Sequence, residues 1–365
     1  MLESWLQRLL AAIGFLLPWQ TIWIYREVSV NGFKWEYGTL GFYVTELLLW
    51  LTALIFIVWY WPKSKLRFTL YDLRFTKDRV FALSCLAFIL YTLSSSLWSI
   101  DQPLALQHGL RITSAFVLFF MLWLGPLSFR RAAWWLVAGA SMQALLGIWQ
   151  FLTQSTISLP WLGLVEHPAW QAGTSIVGLN GGRWLRAYAA FPHPNILGGY
   201  LVVSLLIIII LLTETHQMKQ RCLLFTLYPL LTTALFFTFS RGAWLDFAVG
   251  IIVFAVAGTR RGTPDTEKRQ TKIILFSISL LLFSILTYIY YPLVHTRLTQ
   301  SSPQDVRSNS ERIIGYQESS HLILQNILLG TGAGNYTRAL IEADNTLPGY
   351  AYQPVHNVPL LVFSE

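Results

Sequence analysis

The chain has 365 residues, of which 54% are hydrophobic and 12% charged, and its mean hydropathy is +0.50. That balance lies outside the soluble range. The net charge of +8 sits in short clusters between apolar blocks, so there is no basic face of the kind a nucleic-acid binder needs. Each apolar block is about as long as a hydrocarbon core requires, roughly 20 residues, and within one segment only a helix satisfies its own backbone in lipid. The expected fold class is therefore all-α: a polytopic transmembrane helical bundle of about nine spans with a partly helical extracytoplasmic loop.

In chain order the expected spans are Leu6–Ile24, Leu40–Trp61, Val80–Trp98, Pro103–Leu124, Ala132–Thr153, Pro194–Leu212, Cys222–Phe239, Gly242–Ala257 and Ile273–Tyr291. The first lacks a small-residue cleavage site and reads as a retained helix. Basic residues fill every even-numbered connection: Lys63 to Arg79 after the second span, then Arg130 and Arg131. Lys219 and Arg221 follow the sixth span, and Arg260 to Lys272 the eighth. By the positive-inside rule these loops and the amino terminus face the cytoplasm. Residues 1–291 then form the bundle. Residues 292–365 form an extracytoplasmic segment leading into a next helix that the sequence breaks off, which reads as truncation. The 16 Trp and 16 Tyr suit helix ends at a membrane interface. Cys85 and Cys222 carry no motif, and there is no internal repeat.

Two outer segments are too long to be connectors, 154–193 and the stretch from Pro292 onward. In the latter, Ser308 to Glu311 reads as a capping box opening a helix to about Asn326, with Arg312 and Tyr316 one turn apart. Outer arginines are not orientation signals. Arg297, Arg307 and Arg338 read as solvated loop charge. Arg241 differs, because Phe239-Ser240-Arg241-Gly242-Ala243-Trp244 lies between two apolar helices. A charge there costs roughly 3 kcal/mol unless partnered or solvated in a cavity. Glu46 and Asp246 are expected to pair with outer arginines, a network that His108 and Arg111 would join. His356 sits among arginines at the membrane surface, where an acid or base is useful. Gly330-Thr331-Gly332-Ala333-Gly334 follows a helix and lacks a P-loop lysine, so it is not a dinucleotide loop. Glu342 with Asp344 is a weak divalent-ion pair, and no zinc spacing is present.

Four stretches taken in order resemble the O-antigen ligase and O-antigen polymerase superfamily. They are His193-Pro194-Asn195 with Leu197-Gly198, then Ser240-Arg241-Gly242-Ala243-Trp244. Next come Arg312 with Tyr316 running into Asn326 to Tyr336, and finally His356-Asn357 with Leu360 and Glu365. The family pattern usually has Trp where Tyr316 stands, Pro where Ile327 stands, and further helices after the His-Asn stretch.

The resemblance implies an enzyme at the outer face of the cytoplasmic membrane that takes a polyprenyl-pyrophosphate-linked glycan as donor. The glycan passes to an acceptor hydroxyl on a glycan, on lipid A-core or on a protein, in the presence of membrane lipid. Arg241 and Arg312 would stabilise the leaving pyrophosphate as bidentate donors, and His356 would be the general base. Arg183, Arg186, His193, Asn195 and Tyr316 would be substrate-binding residues. Arginines in place of metal imply no cofactor and metal independence, and direct attack would invert the anomeric centre. The rival reading is a transporter of lipid-linked sugars without catalysis. It expects polar residues through the whole membrane depth, whereas here they gather toward one face.

Overall fold

The computed structural model describes residues 1–64, 77–171, 173–179, 182–257, 266–299 and 303–365. The basic stretches 65–76 and 258–265, with Lys65, Arg67, Arg74, Arg260 and Arg261, lie outside the described residues. In chain order come α1 (Leu2–Leu16), β1 (Ile22–Arg26), β2 (Ser29–Val30), β3 (Phe33–Lys34), β4 (Leu40–Tyr43), α2 (Val44–Ser64) and α3 (Lys77–Ser94). α4 (Gln102–Leu124), α5 (Phe129–Thr153), β5 (Ile176–Leu179), β6 (Gly182–Leu185), α6 (Pro194–Glu214), α7 (Met218–Phe237) and α8 (Arg241–Ala257) follow. The chain then continues through α9 (Thr266–Ile289), α10 (Tyr291–Thr299), α11 (Pro303–Gln325), α12 (Tyr336–Ala343) and α13 (Val358–Ser364).

The helical reading stands, but the count of nine spans does not. Among the described residues seven helices are long and apolar enough to cross a membrane: α2 to α7 and α9. The first expected span, Leu6–Ile24, is cut at Leu16 because Pro18 disfavours helix in the residue before it. Ile22–Arg26 then turns into a strand paired antiparallel with Leu40–Tyr43, which also takes four residues from the expected second span. α8 is described over 17 residues, up to the edge of the described residues at Ala257. α11 opens at Pro303, ahead of the expected capping box. Proline suits the first helical turn because its missing N–H would have no partner there anyway, so Ser308 lies inside the helix.

The chain forms two compact units, one of Met1–Gln7, Ile22–Pro126 and Arg307–Glu365, the other of Arg8–Thr21 and Leu127–Val306. In the first, α4 packs against α2 and α3. A charge inside this apolar packing needs a partner. Arg111 supplies one for Glu46, Nε to Oε1 at 3.1 Å, and also donates to the Gly41 carbonyl at 2.9 Å. Glu46 is thus paired as expected, with Arg111 as its arginine. Asp246 is not: it is exposed and has no ion pair among the described residues. A smaller core gathers Trp35, Leu104, Leu322, Tyr336, Leu340, Tyr352 and Val355.

The second unit is built on α5, α6 and α7, with α8 against α6 and α9 against α7. Its centre is fully buried at Ala140, Ala144, Leu197, Leu201, Tyr228, Leu231 and Leu235. One face of α5 breaks the apolar pattern with Gln143, Gly147 and Gln150, spaced four and three residues apart so that they align. Gly147 lets the chain at Ala187 and Leu197 come close; an added Cβ would meet both at 3.4 Å. Gln150 Oε1 accepts from the backbone N–H of Tyr188 at 3.1 Å and of Ala189 at 2.6 Å, and its Nε2 donates to the Ala189 carbonyl. Gln143 Oε1 accepts from Ala190 N–H at 2.9 Å. Ala189 has a positive φ of 52°, so this turn cannot join a helical ladder and needs side-chain partners.

Gln150→Leu should therefore strand two buried N–H groups, at about 1–3 kcal/mol each. Gln143→Leu should cost less, since it strands one group and removes an Nε2 that has no partner among the described residues. Denaturant unfolding of the detergent-purified protein ranks the two. Equal losses, or none, would contradict this account of the turn.

Candidate functional site

In the second unit the site is assembled around the carboxyl end of α7. The last carbonyls of a helix lack intrahelical partners and carry the negative end of its dipole. Here four carbonyls at this end find donors from elsewhere in the unit. The Trp244 indole donates to Leu235 at 3.1 Å, Ala187 N–H to Phe237 at 3.0 Å, and Arg186 Nε to Thr238 at 2.6 Å. Arg297 Nε donates to Phe239 at 3.1 Å. Phe239 itself is fully buried with a positive φ of 47°, and this reverses the chain into α8. Ser240 Oγ accepts from Ala243 N–H at 3.4 Å in the first turn of that helix.

Arg241 opens α8 half-buried, and its Nη1 donates to the Arg297 carbonyl at 3.2 Å. Arg241 and Arg297 thus clasp each other's backbone neighbourhood, each head bonding a carbonyl in the other's stretch. Arg297 is not a solvated loop charge: it is half-buried on α10, following Leu293 and Val294 on that helix's buried face. Arg186 is buried and gives its Nη2 to Asn195 Oδ1 at 2.7 Å. The geometry makes it a brace between α7 and the start of α6. His193 caps α6. Its Nδ1 accepts from Asn195 N–H at 3.1 Å, which puts the proton of a neutral ring on Nε2, facing Ser175 Oγ at 2.8 Å. Arg183 donates to the Ala169 and Gln171 carbonyls at 2.5 and 3.1 Å, closing its own loop. His167 stacks on Tyr188 with centroids 4.2 Å apart, and burial lowers its pKa.

In the first unit α11 presents Arg312 and Tyr316 on an exposed face, one turn apart as expected. Between them Gly315 admits Val355, whose Cα would lie 3.7 Å from an added Cβ. That contact brings His356, the next residue, to the Arg312 stretch. His356 is exposed, and Asn357 caps α13 by accepting from Leu360 N–H at 3.2 Å. Neither Arg312 nor His356 has a hydrogen-bond or ion-pair partner among the described residues.

The glycine-rich stretch is structural. Gly330, Gly332 and Gly334 all have positive φ, from 65° to 93°. The turn they make aims Gly334 N–H at Glu365 Oε2, 2.9 Å away, and Ala333 N–H at Ser95 Oγ, 3.1 Å away. Asn335 follows, exchanging hydrogen bonds with the backbone of Asp101. Asp101 caps α4 and pairs with Arg26 at 2.5 Å. Desolvation pushes the Asp101 carboxyl up, but hydrogen bonds from Arg26 and Leu104 N–H, with the Arg26 and Arg338 charges, outweigh it and hold it below the usual range.

Arg338 pairs with Glu342 at 3.2 Å, and Asp344 accepts from the Thr346 backbone and hydroxyl. Among the described residues no group of three or more His, Cys, Asp or Glu converges. Arg307 lies within α11, and its side chain is outside the described residues.

In one unit hydrogen bonds join Arg186, Asn195 and His193, while Arg183 closes its own loop and Arg241 meets Arg297; in the other, Arg312 and Tyr316 share α11 beside the stretch that carries His356. Arg241, Arg312, Tyr316, the glycine turn and His356-Asn357 occur in the order that the resemblance requires.

Residues 225–365 match the O-antigen ligase family model. That supports the O-antigen ligase superfamily for a membrane protein of this helical composition. The match takes in Arg241, Arg297, Arg312, Tyr316 and His356, and less than half of the chain. His193, Asn195 and both arginines of the β6 region precede it. No curated protein and no solved structure matches the chain.

Proposed function

We propose that the protein is a membrane glycosyltransferase of the O-antigen ligase or polymerase type. Its donor is a polyprenyl-pyrophosphate-linked glycan and its acceptor a hydroxyl on another glycan, on lipid A-core or on a protein. The acceptor oxygen attacks the anomeric carbon as the bond from that carbon to the pyrophosphate oxygen breaks. The hydroxyl proton passes to His356, and the polyprenyl pyrophosphate leaves carrying the negative charge. Arg241 in one unit and Arg312 in the other are each candidates to stabilise that charge as a planar bidentate donor. Attack from the face opposite the leaving group inverts the anomeric centre.

The observation that supports this reading most is the packing of Val355 on Gly315. It lays the stretch that carries His356 against the stretch that carries Arg312, both side chains exposed and without protein partners among the described residues. Arg186 and Arg183 each give two nitrogens to protein oxygens, whereas Arg241 gives one, so the first two fit a supporting role better than direct phosphate contact. His193 and Asn195 hold the start of α6 beside them.

The reaction belongs to the outer face of the cytoplasmic membrane, with the amino terminus inside and 292–365 outside. A cysteine placed at Ser64 should resist an impermeant label in intact cells; labelling there contradicts the orientation.

Arg241→Lys and Arg312→Lys keep the charge but lose the planar fork. Each should lower transfer about 10- to 100-fold, matching the ~1.5–3 kcal/mol of a hydrogen bond to a charged group. The unmutated protein should keep its rate in chelator, because guanidinium groups occupy the role that a divalent ion would fill. Near-normal transfer by both lysine variants would mark these arginines as surface charge. Activity lost in chelator and restored by a divalent ion would do the same.

A further inference from the structure

The connection from α5 to α6 begins with a segment whose composition does not suit water. Residues 155–165 contain no charge, whereas the stretch 25–39 carries Arg26, Glu27, Lys34 and Glu36. Leu164 turns inward, but Ile157, Leu159, Trp161, Leu162 and Val165 are exposed, Trp161 at 85% and Val165 at 64%. Apolar side chains clustered on a non-helical segment in this way mark a surface that something other than water covers.

Two observations point to the cover. The first is depth. An added Cβ at Gly139 of α5 would lie 2.7 Å from the Phe15 carbonyl oxygen, and Phe15 meets Trp135 edge-on. Past the end of α1, an added Cβ at Gly163 would lie 2.2 Å from the Gln20 carbonyl carbon, and Thr21 Oγ1 donates to the Trp161 carbonyl at 2.9 Å. The chain from Phe15 to Gln20 reaches at most about 18 Å. From Gly139 to the last residue of α5, Thr153, is about 21 Å at 1.5 Å per residue. The loop is therefore tied down near the level at which α5, a helix long and apolar enough to cross a membrane, ends.

The second is the backbone, which can leave water only if its polar groups are paired. Leu159 N–H donates to the Leu164 carbonyl at 3.0 Å and Leu164 N–H returns the bond at 3.1 Å. Leu162 N–H donates to Leu159 and Gly163 N–H to Pro160, each at 2.9 Å, and Pro160 has no N–H to satisfy.

We infer that the loop 157–165 is an interfacial anchor, seating Trp161, Leu162 and Val165 in the headgroup region of the leaflet in which α5 ends. Tryptophan favours that depth because its ring is apolar and its N–H polar. Short apolar segments bind such an interface without spanning it. Lipid is the partner already present at that level, whereas a soluble protein or glycan would have to displace it. The inference depends on α5 crossing the membrane and not on the glycosyltransferase reading.

The test places a nitroxide on the loop. With Cys85 and Cys222 changed to Ala, Trp161→Cys and Val165→Cys are labelled separately in nanodiscs of phosphatidylethanolamine and phosphatidylglycerol. Lys34→Cys is the aqueous reference, since Lys34 is exposed and pairs with exposed Glu27. Collision rates are measured with oxygen, which concentrates in lipid, and with a water-soluble nickel chelate. The oxygen-to-nickel ratio should shift upward at 161 and 165 relative to 34. Both loop side chains are exposed, so either variant carries the test if the other fails to fold. Ratios equal to that at Lys34 overturn the anchor and leave the loop in water. Shielding from both reagents overturns it too, by showing that protein, such as a second copy of the chain, covers the loop.

Discussion

Backbone groups that leave a helix in water-poor surroundings must find partners within the protein, because an unpaired buried group costs about 1–3 kcal/mol. The second unit is organised by that constraint. Between α7 and α8 the chain reverses in a few residues, with Phe239 in the left-handed region. The carbonyls of Leu235, Phe237, Thr238 and Phe239 are met by an indole, a backbone N–H and two arginines. The same constraint acts at Tyr188–Ala190, where Gln150 and Gln143 reach out of α5 to satisfy three N–H groups. Arginine and glutamine that look extravagant in apolar surroundings are what allow a tight non-helical turn there. The turn, in return, fixes where Arg241 begins its helix.

The first unit solves a related problem with glycine. Three residues of positive φ form a turn whose N–H groups face inward to Glu365 and Ser95, and Gly334 lies so close to His108 that an added Cβ would sit 2.3 Å from its ring. This pins the approach to α12 onto the cap of α4, through Asn335 and Asp101. α11, leading into that turn, is left with an exposed face bearing Arg312 and Tyr316, against which the Val355–His356 stretch is laid. A hydrogen-bonded turn and an exposed polar face thus occur side by side in this unit.

Much of this was legible in the sequence, and the exceptions have physical reasons. The long apolar helices announce themselves by length alone. Leu40–Tyr43 does not, because as a strand it continues an apolar run into α2, and only its pairing with Ile22–Arg26 separates the two. Pro18 was a visible signal that the first helix stops early. Arg312, Tyr316 and His356 could be singled out by residue type and order. Arg297 could not, because its bond to Phe239 spans 58 residues and serves a carbonyl, which no side-chain pattern reveals. Gln143 and Gln150 did leave a trace: two amides two turns apart on an apolar helix require polar partners, whatever those turn out to be.

In the proposed reaction, recognition of the donor and removal of the acceptor's proton are separate tasks, the first falling to arginines and the second to His356. The measurement that tests this most directly records donor binding and glycan transfer separately for His356→Ala in liposomes carrying the lipid-linked donor. Binding should match the unmutated protein, while transfer falls by a factor on the order of 10²–10⁴, the usual contribution of a general base. Normal transfer by the variant would contradict the account, as would a loss of donor binding in step with the loss of transfer.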